Sequence, residues 1–194
     1  NDDRDLMTSE ELDELPFVSE VYNRHLNIED YFYASIRHPE VTILTSRGCP
    51  YNCTFCNIPL KQSYRARSPK NVVDEMEYIE KELPFVEEIQ IEDDTFDINK
   101  KRTKEICREI IRRGLKVRWS CNARVNSDYK TMKLMRKANC RLMCVGFESA
   151  ENEVLDAIKK VSTLKKQEEF MEEADKSGLI VNGCFIFGLP HDTH

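Results

Sequence analysis

The sequence predicts an α/β protein whose parallel strands curve into a partial barrel. Two observations point there. Strand-like and helix-like segments alternate from Val41 to Phe187, and such alternation sets successive strands parallel, joined by right-handed helical crossovers. Along Val117 to Arg124 every second residue is polar: Arg118, Ser120, Asn122 and Arg124 oppose Val117, Trp119, Cys121 and Ala123. A doubly wound sheet carries helices on both faces and reads as continuously apolar, so a polar face suits a curved sheet that encloses a ligand. Five such units without a Gly-rich nucleotide fingerprint fit either a doubly wound sheet or an incomplete α/β barrel, and the polar face tips the reading to the barrel.

The elements follow in order. Residues 1–40 hold acidic and aromatic stretches without a sustained period and predict a linker or N-terminal extension with one short helix; the core is expected over 41–194. Val41 to Ser46 is β-rich and runs into the loop signal Arg47, Gly48, Cys49, Pro50. Ser68 and Pro69 open a helix as N-cap and first helical residue, followed by Val72, Val73, Met76, Ile79 and Leu83 at helical spacing. Phe85 to Ile91 predicts a strand, with Gln90, Glu92 and Asp94 opposing Val86, Ile89 and Ile91. Asn99 to Arg113 predicts a helix stopped by Gly114. Lys116 to Ala123 then predicts a strand, Ser127 to Ala138 a helix and Arg141 to Phe147 a strand. Residues 151–160 and 163–177 predict helices, with Gly178 as a stop, and Leu179 to Phe187 the fifth strand.

Composition narrows the function classes. The chain has 194 residues, 40% apolar and 33% charged, a globular balance with room for one core. Its net charge of −6 argues against a broad nucleic-acid footprint, and the cluster Lys61, Arg65, Arg67, Lys70 reads as a solvated loop. No apolar run approaches the roughly 20 residues that cross a bilayer, so no membrane partner is expected. The polar start from Asn1 to Asp5 is no export signal. The chain starts without Met and stops just after a strand-like run ending at Phe187, so both ends read as cut from a longer protein, and His194 is a poor site candidate. A cytoplasmic, reducing location follows, where clustered cysteines bind metal rather than pair.

Cys49, Cys53 and Cys56 stand in CxxxCxxC spacing within one loop. Three thiolates so close together can converge on one centre, and thiolates select zinc, copper(I) or iron–sulfur clusters. Structural zinc takes four protein ligands and iron–sulfur clusters usually take four cysteines. Here the loop supplies three. Either His38 or a distant cysteine completes a zinc site, or an iron remains open for chemistry. The other cysteines, Cys107, Cys121, Cys140, Cys144 and Cys184, read as small core hydrophobes on helix and strand.

The run Thr45 to Cys56, with the aromatic Phe55 before the last cysteine, resembles the radical S-adenosylmethionine superfamily. The resemblance covers residues 41–194 and implies a partial (β/α)6 TIM-like barrel, here truncated to about five βα units. It implies a [4Fe–4S] cluster on Cys49, Cys53 and Cys56, with the fourth iron chelated by the methionine part of S-adenosylmethionine. Reductive cleavage of that cofactor then yields a 5′-deoxyadenosyl radical. Other positions carry over. Glu92, Asp93, Asp94 and Thr95 stand where the family often has Gly-Gly-Glu, so Asp93 and Asp94 become candidates for the methionine ammonium. Asn122 and Arg124 match polar positions that hold carboxylate or ribose. Glu148 and Ser149 match endings that bind ribose hydroxyls and carboxylate. Ile186 matches the aliphatic residue placed against adenine, and Phe55 is expected near the same base.

A narrower resemblance concerns the N-terminal segment. Leu12 to Phe17, Tyr31 to Tyr33 and the Asp93 to Phe96 run look like the branch with an upstream cobalamin-binding domain. This implies a cobalamin-dependent methyltransferase-like enzyme; a methylthiotransferase and a non-catalytic zinc or electron-transfer module are the alternatives. The partners implied are a substrate that the sequence does not specify and an electron donor such as a flavodoxin or ferredoxin.

Overall fold

The computed structural model of the chain describes residues 6–58 and 63–193. Lys61 of the basic cluster, the polar start at Asn1 to Asp5 and the final His194 lie outside the described residues. Five strands, β1 (Glu40–Ile43), β4 (Glu88–Ile91), β5 (Arg118–Ala123), β6 (Cys140–Glu148) and β7 (Ile180–Phe185), form one parallel sheet in that order. A second, two-stranded ribbon pairs β2 (Ser46–Arg47) antiparallel with β3 (Arg65–Ala66) around the cysteine loop. The crossovers are α3 (Pro69–Glu82), α4 (Lys100–Arg113), α5 (Tyr129–Lys137), and the pair α6 (Asn152–Ala157) and α7 (Leu164–Ser177).

The helix ends follow the expected chemistry. Ser68 caps α3 by accepting from Asn71 N with Pro69 at the first helical position, and Asn99 caps α4 through Arg102 N. Gly114 and Gly178 close α4 and α7 at φ 70° and 77°, a left-handed bend that glycine makes without a Cβ clash. The strand β4 begins at Glu88 rather than Phe85, because the chain first turns through a Val86 N to Leu83 O hydrogen bond and leaves Phe85 exposed. Cys140 joins β6 instead of preceding it.

Before residue 40 the structure has two helices, α1 (Ser9–Asp13) and α2 (Val18–His25), and a 3-10 turn at Ile28–Asp30, where the sequence predicts one short helix. The short segments lack a periodic stripe; packing defines them. Leu12 and Ile28 are buried, and Ser19 donates from N and Oγ to Glu75 of α3. Glu75 in turn pairs with Arg67 at 2.6 Å.

The sheet has the two unlike faces that alternation predicts. Ile43, Ile89, Ile91, Trp119, Cys121, Met143 and Val145 pack beneath the helices in one core, with Trp119 edge-on to Phe96 at 5.3 Å. On the concave face, Ser120 Oγ hydrogen-bonds Glu88, and Arg141 Nε donates to the same carboxylate at 2.7 Å. Arg37 N donates to Glu88 and Arg141 Nη2 to Ser35 O. The segment before β1 therefore packs across the N-terminal end of the sheet, opposite the C-terminal ends where the βα loops gather.

Asp97, in the turn after β4, is fully buried and accepts from Arg124 N at 3.2 Å and Ser127 Oγ at 3.0 Å. Burial outweighs these bonds and pushes its carboxyl from 3.8 up to about 6. A raised folded pKa means that the folded state holds the proton more tightly, so this group's contribution is lost as pH rises from the unfolded to the folded value. Asp97→Asn is expected to gain on the wild type by about 2–3 kcal/mol between about pH 4 and pH 6.5, and to keep that gain above it. Denaturant unfolding across that range checks this; parallel curves for the two proteins would contradict it.

Candidate functional site

Every βα loop of this sheet opens at the same end, and the cysteine loop is fixed there by one side chain. Asp93, at the end of β4, is wholly buried. Its Oδ1 accepts from Thr45 N and Ser46 N at 2.6 and 2.9 Å, and its Oδ2 from the two hydroxyls at 2.5 and 2.6 Å. Arg102 of α4 adds a bond to Thr45 O at 2.8 Å. The next acid, Asp94, accepts from Gly48 N at 3.0 Å, with burial pushing its carboxyl above the ordinary range. Gly48, at φ 79°, turns the chain into Cys49. Further on, Thr54 N bonds Ile158 O, which ties the loop to the end of α6.

Cys49, Cys53 and Cys56 line one cavity of about 350 Å³ at the C-terminal mouth. Cys49 and Cys53 are buried and Cys56 half-buried. Among the described residues no three His, Cys, Asp or Glu side chains close on a single metal ion. A four-iron cube spreads its thiolates wider than one ion does, and three thiolates on one cavity wall fit that larger group. His38 stands at the N-terminal end of β1, packed on Phe32. The cysteine loop leaves the other end of that strand, so His38 does not complete a zinc site.

Cation and anion are paired deep in the cavity. Arg124, at the end of β5, donates from Nη1 to Cys53 Sγ at 3.3 Å and hydrogen-bonds Lys160 O through Nη2. Its guanidinium lies 4.0 Å over the Tyr51 ring. Lys160 Nζ donates to Glu148 Oε1 at 2.7 Å, and both side chains are almost wholly buried. The backbone is bent to make this pair: Glu148 sits at φ 68°, and Lys159 and Val161, on either side of Lys160, at φ 55°. A β-branched residue in the left-handed region is strained, so the surrounding structure holds Lys160 in place. Gly146 leaves the room, since a Cβ there would collide with Glu148 Oε1 and stand 3.0 Å from Lys160 Nζ.

Residues 43–194 match the family described as the Radical SAM superfamily. The chain belongs to the radical S-adenosylmethionine superfamily. That family uses a [4Fe–4S] cluster and S-adenosylmethionine. The chain is 36% identical over 158 residues to an uncharacterized methyltransferase of Pyrococcus horikoshii, covering 80% of this chain and 34% of that protein. It is 33% identical to the anaerobic magnesium-protoporphyrin IX monomethyl ester cyclase of Rubrivivax gelatinosus, covering 87% of this chain and 31% of that enzyme. In fold it is similar to the radical S-adenosylmethionine methyltransferase TsrM of Kitasatospora setae, at TM-score 0.72 and 25% identity over 79% of this chain and 31% of that one. The chain thus spans about a third of the length of these relatives.

Within this radical SAM core, Phe55, Asp94, Asn122, Arg124 and Glu148 line the cavity beside the three cysteines. Three expected cofactor contacts do not, and each is engaged elsewhere. Asp93 accepts four bonds from Thr45 and Ser46 and anchors the loop. The Ser149 hydroxyl accepts from Glu151 N at the entry to α6. Ile186 joins Glu148 O through its own N–H and stays outside the lining. Arg124 lines the cavity but turns its guanidinium to Cys53 and Lys160 O.

Tyr51, Cys144, Gly146, Lys160 and Cys184 also line the cavity, though none is a site candidate on sequence alone. Cys144 and Cys184 were expected in the core with Cys107, Cys121 and Cys140. The last three are fully buried there, whereas Cys144 is half-buried and Cys184 exposed on the concave face. Strand parity carried the signal, because Cys144 shares the face of Gly146 and Glu148. Lys160 had none, because its placement depends on the two left-handed residues beside it.

Gly146→Ala is expected to weaken S-adenosylmethionine binding about tenfold or more, because the added methyl forces Glu148 and Lys160 apart. Calorimetric titration of the cluster-loaded protein measures this. An unchanged affinity with an unchanged cluster spectrum would place the pair outside the cofactor site.

Proposed function

We propose that this chain is the radical-initiating core of a cobalamin-dependent methyltransferase-like enzyme, which cleaves S-adenosylmethionine reductively. The observation that carries the reading is the cysteine loop: three thiols, and among the described residues no fourth ligand from the loop or from His38, open on a cavity at the C-terminal mouth that Arg124, Glu148 and Lys160 also line. Cys49, Cys53 and Cys56 would hold three irons of a [4Fe–4S] cluster and leave the fourth for the cofactor's methionine part. When bound, the cluster supplies the electron for reductive cleavage of S-adenosylmethionine.

This chain's own groups bind and orient. The Arg124 guanidinium donates to Cys53 Sγ and sets a positive charge beside the cysteine loop. Glu148 keeps one carboxylate oxygen bonded to Lys160, which leaves the other for a sugar hydroxyl, while Lys160 offers its charge to a carboxylate. Phe55, with Lys160 Nζ 6.0 Å from its ring centre, offers an apolar face to a base. The electron would come from a flavodoxin- or ferredoxin-type donor. No helix of the described residues is long and apolar enough to cross a membrane, and we place the protein in the cytoplasm.

The methyl-transfer part is supported by the methyltransferase among the relatives and by the linker features around Leu12 to Phe17 and Tyr31 to Tyr33. In fold, at 22% identity and TM-score 0.69, the chain is also similar to the cobalamin-dependent S-adenosylmethionine radical enzyme OxsB.

After anaerobic reconstitution the protein is expected to be brown, with about four irons per chain. Cys49→Ala, Cys53→Ala and Cys56→Ala should each lose the cluster, and Cys107→Ala should keep it. With dithionite and S-adenosylmethionine the loaded protein should release 5′-deoxyadenosine and methionine. A colourless protein holding one zinc would end the reading.

The longer protein that contains this chain is expected to bind a corrinoid, visible in its absorption spectrum and by mass. If it binds none, the methyl-transfer assignment fails and the radical chemistry stands.

A further inference from the structure

Two cysteines outside the iron-binding loop share its cavity. Cys144 on β6 and Cys184 on β7 both line it, and their sulfurs stand 3.5 Å apart. The register explains the meeting. Cys144 lies opposite Asn182 and Gly146 opposite Cys184, so the two thiols are diagonal neighbours on the concave face. Gly146 places no side chain over Cys184. Cys107, Cys121 and Cys140 are fully buried behind the sheet and cannot join them.

This geometry suits a bridging ion better than a disulfide. With strands about 4.8 Å apart and about 3.3 Å per residue, a two-residue diagonal separates the Cα atoms by about 8 Å. Disulfides usually span about 4.4–6.8 Å between Cα atoms, with the sulfurs about 2.0 Å apart. Two sulfurs on one tetrahedral zinc, at about 2.3 Å each, stand about 3.8 Å from one another. The observed 3.5 Å lies within a few tenths of an ångström of that bite. The cavity around the pair carries both signs of charge, with Arg124 and Lys160 in the lining beside Glu148. Burial first, then Cys184, Glu92 and Glu148 push the Cys144 thiol up to about 12. An ion that binds here must displace thiol protons, so its affinity rises with pH.

We propose that Cys144 and Cys184 are a ligand pair for a thiophilic divalent ion of the zinc class, whose remaining positions face the cavity. Binding replaces two S–H protons with two metal–sulfur bonds and changes no oxidation state. Among the described residues no third His, Cys, Asp or Glu completes the set, so water or a donor atom of a substrate fills the other positions. Such an open ion could polarise a group of the substrate beside the cluster. Its two ligands are distinct from the three cysteines of the loop, although both sets line one cavity.

The test uses the cluster-loaded, anaerobic protein, in which the loop cysteines are occupied. It is titrated with Zn²⁺, desalted and assayed for zinc and iron together; Co²⁺ replaces zinc for spectroscopy. About one zinc per chain beyond the irons is expected, and Co²⁺ should show the tetrahedral d–d bands and sulfur charge transfer of thiolate ligation. Cys184→Ser and Cys144→Ser should each weaken binding by about tenfold or more, with iron content unchanged, while Cys107→Ser should not. Cys184 is exposed, so its variant tests the site even if Cys144→Ser folds poorly. Zinc uptake equal in wild type and Cys184→Ser, or no uptake at all, would overturn the proposal. So would a Cys144–Cys184 disulfide formed without metal in non-reducing peptide mass mapping.

Discussion

Asp93 holds the strand that feeds the cysteine loop to the strand beside it. Two backbone amides and two hydroxyls, from Thr45 and Ser46, converge on its two oxygens at 2.5–2.9 Å in a fully buried setting. A buried carboxylate is tolerable only when its lone pairs are filled, and removing such a partner leaves donors stranded at a cost of about 1–3 kcal/mol each. The arrangement therefore locks the exit of β1 onto the exit of β4. Gly48 and Cys49 leave the ribbon in one direction, and Asp94, the next residue along, holds Gly48 N from below. Three thiols face one cavity from an entry point fixed by these bonds.

The opposite wall is set by a different device. Glu148 and Lys160 meet because the chain accepts left-handed backbone at three non-glycine residues, Glu148, Lys159 and Val161. Such strain persists only where the surroundings impose it. Here the surroundings are the ion pair itself, the Arg124 fork on Lys160 O and the Thr54 amide on Ile158 O. The cysteine loop and the cationic wall are thus one hydrogen-bonded body, joined through Arg124, which touches both Cys53 and Lys160. At the far end of the barrel, Glu88, Arg141, Ser35 and Arg37 bond across the N-terminal end of the sheet. The cysteines, Arg124 and the Glu148–Lys160 pair line one cavity at the opposite end of the sheet.

Periodicity made most of the fold legible. The alternating run Val117 to Arg124 named both faces of β5, and Trp119 and Cys121 lie in the core while Asn122 and Arg124 line the cavity. The same parity, applied to Cys144 and Cys184, would have put them on the concave face; reading cysteine as a small hydrophobe outweighed it. The adjacent acids show a limit of another kind. Asp93 and Asp94 are identical in composition and context, and only the direction each carboxylate takes at the strand end separates the anchor from the cavity residue. Lys160 was illegible because its position depends on backbone conformations that Lys and Val rarely adopt. The N-terminal helices were half-legible, since tertiary partners such as Glu75 define them more than any apolar stripe of their own.

The central claim is that Cys49, Cys53 and Cys56 leave one iron of a cluster open to a ligand in the cavity shared with Glu148 and Lys160. Electron paramagnetic resonance of the reduced, reconstituted protein, with and without S-adenosylmethionine, tests it most directly. Direct chelation of the open iron would change the g-values and line shape of the reduced cluster as the cofactor is added, and that change would saturate with binding. A spectrum unaltered at saturating S-adenosylmethionine would show the cluster to be closed, and would contradict the account.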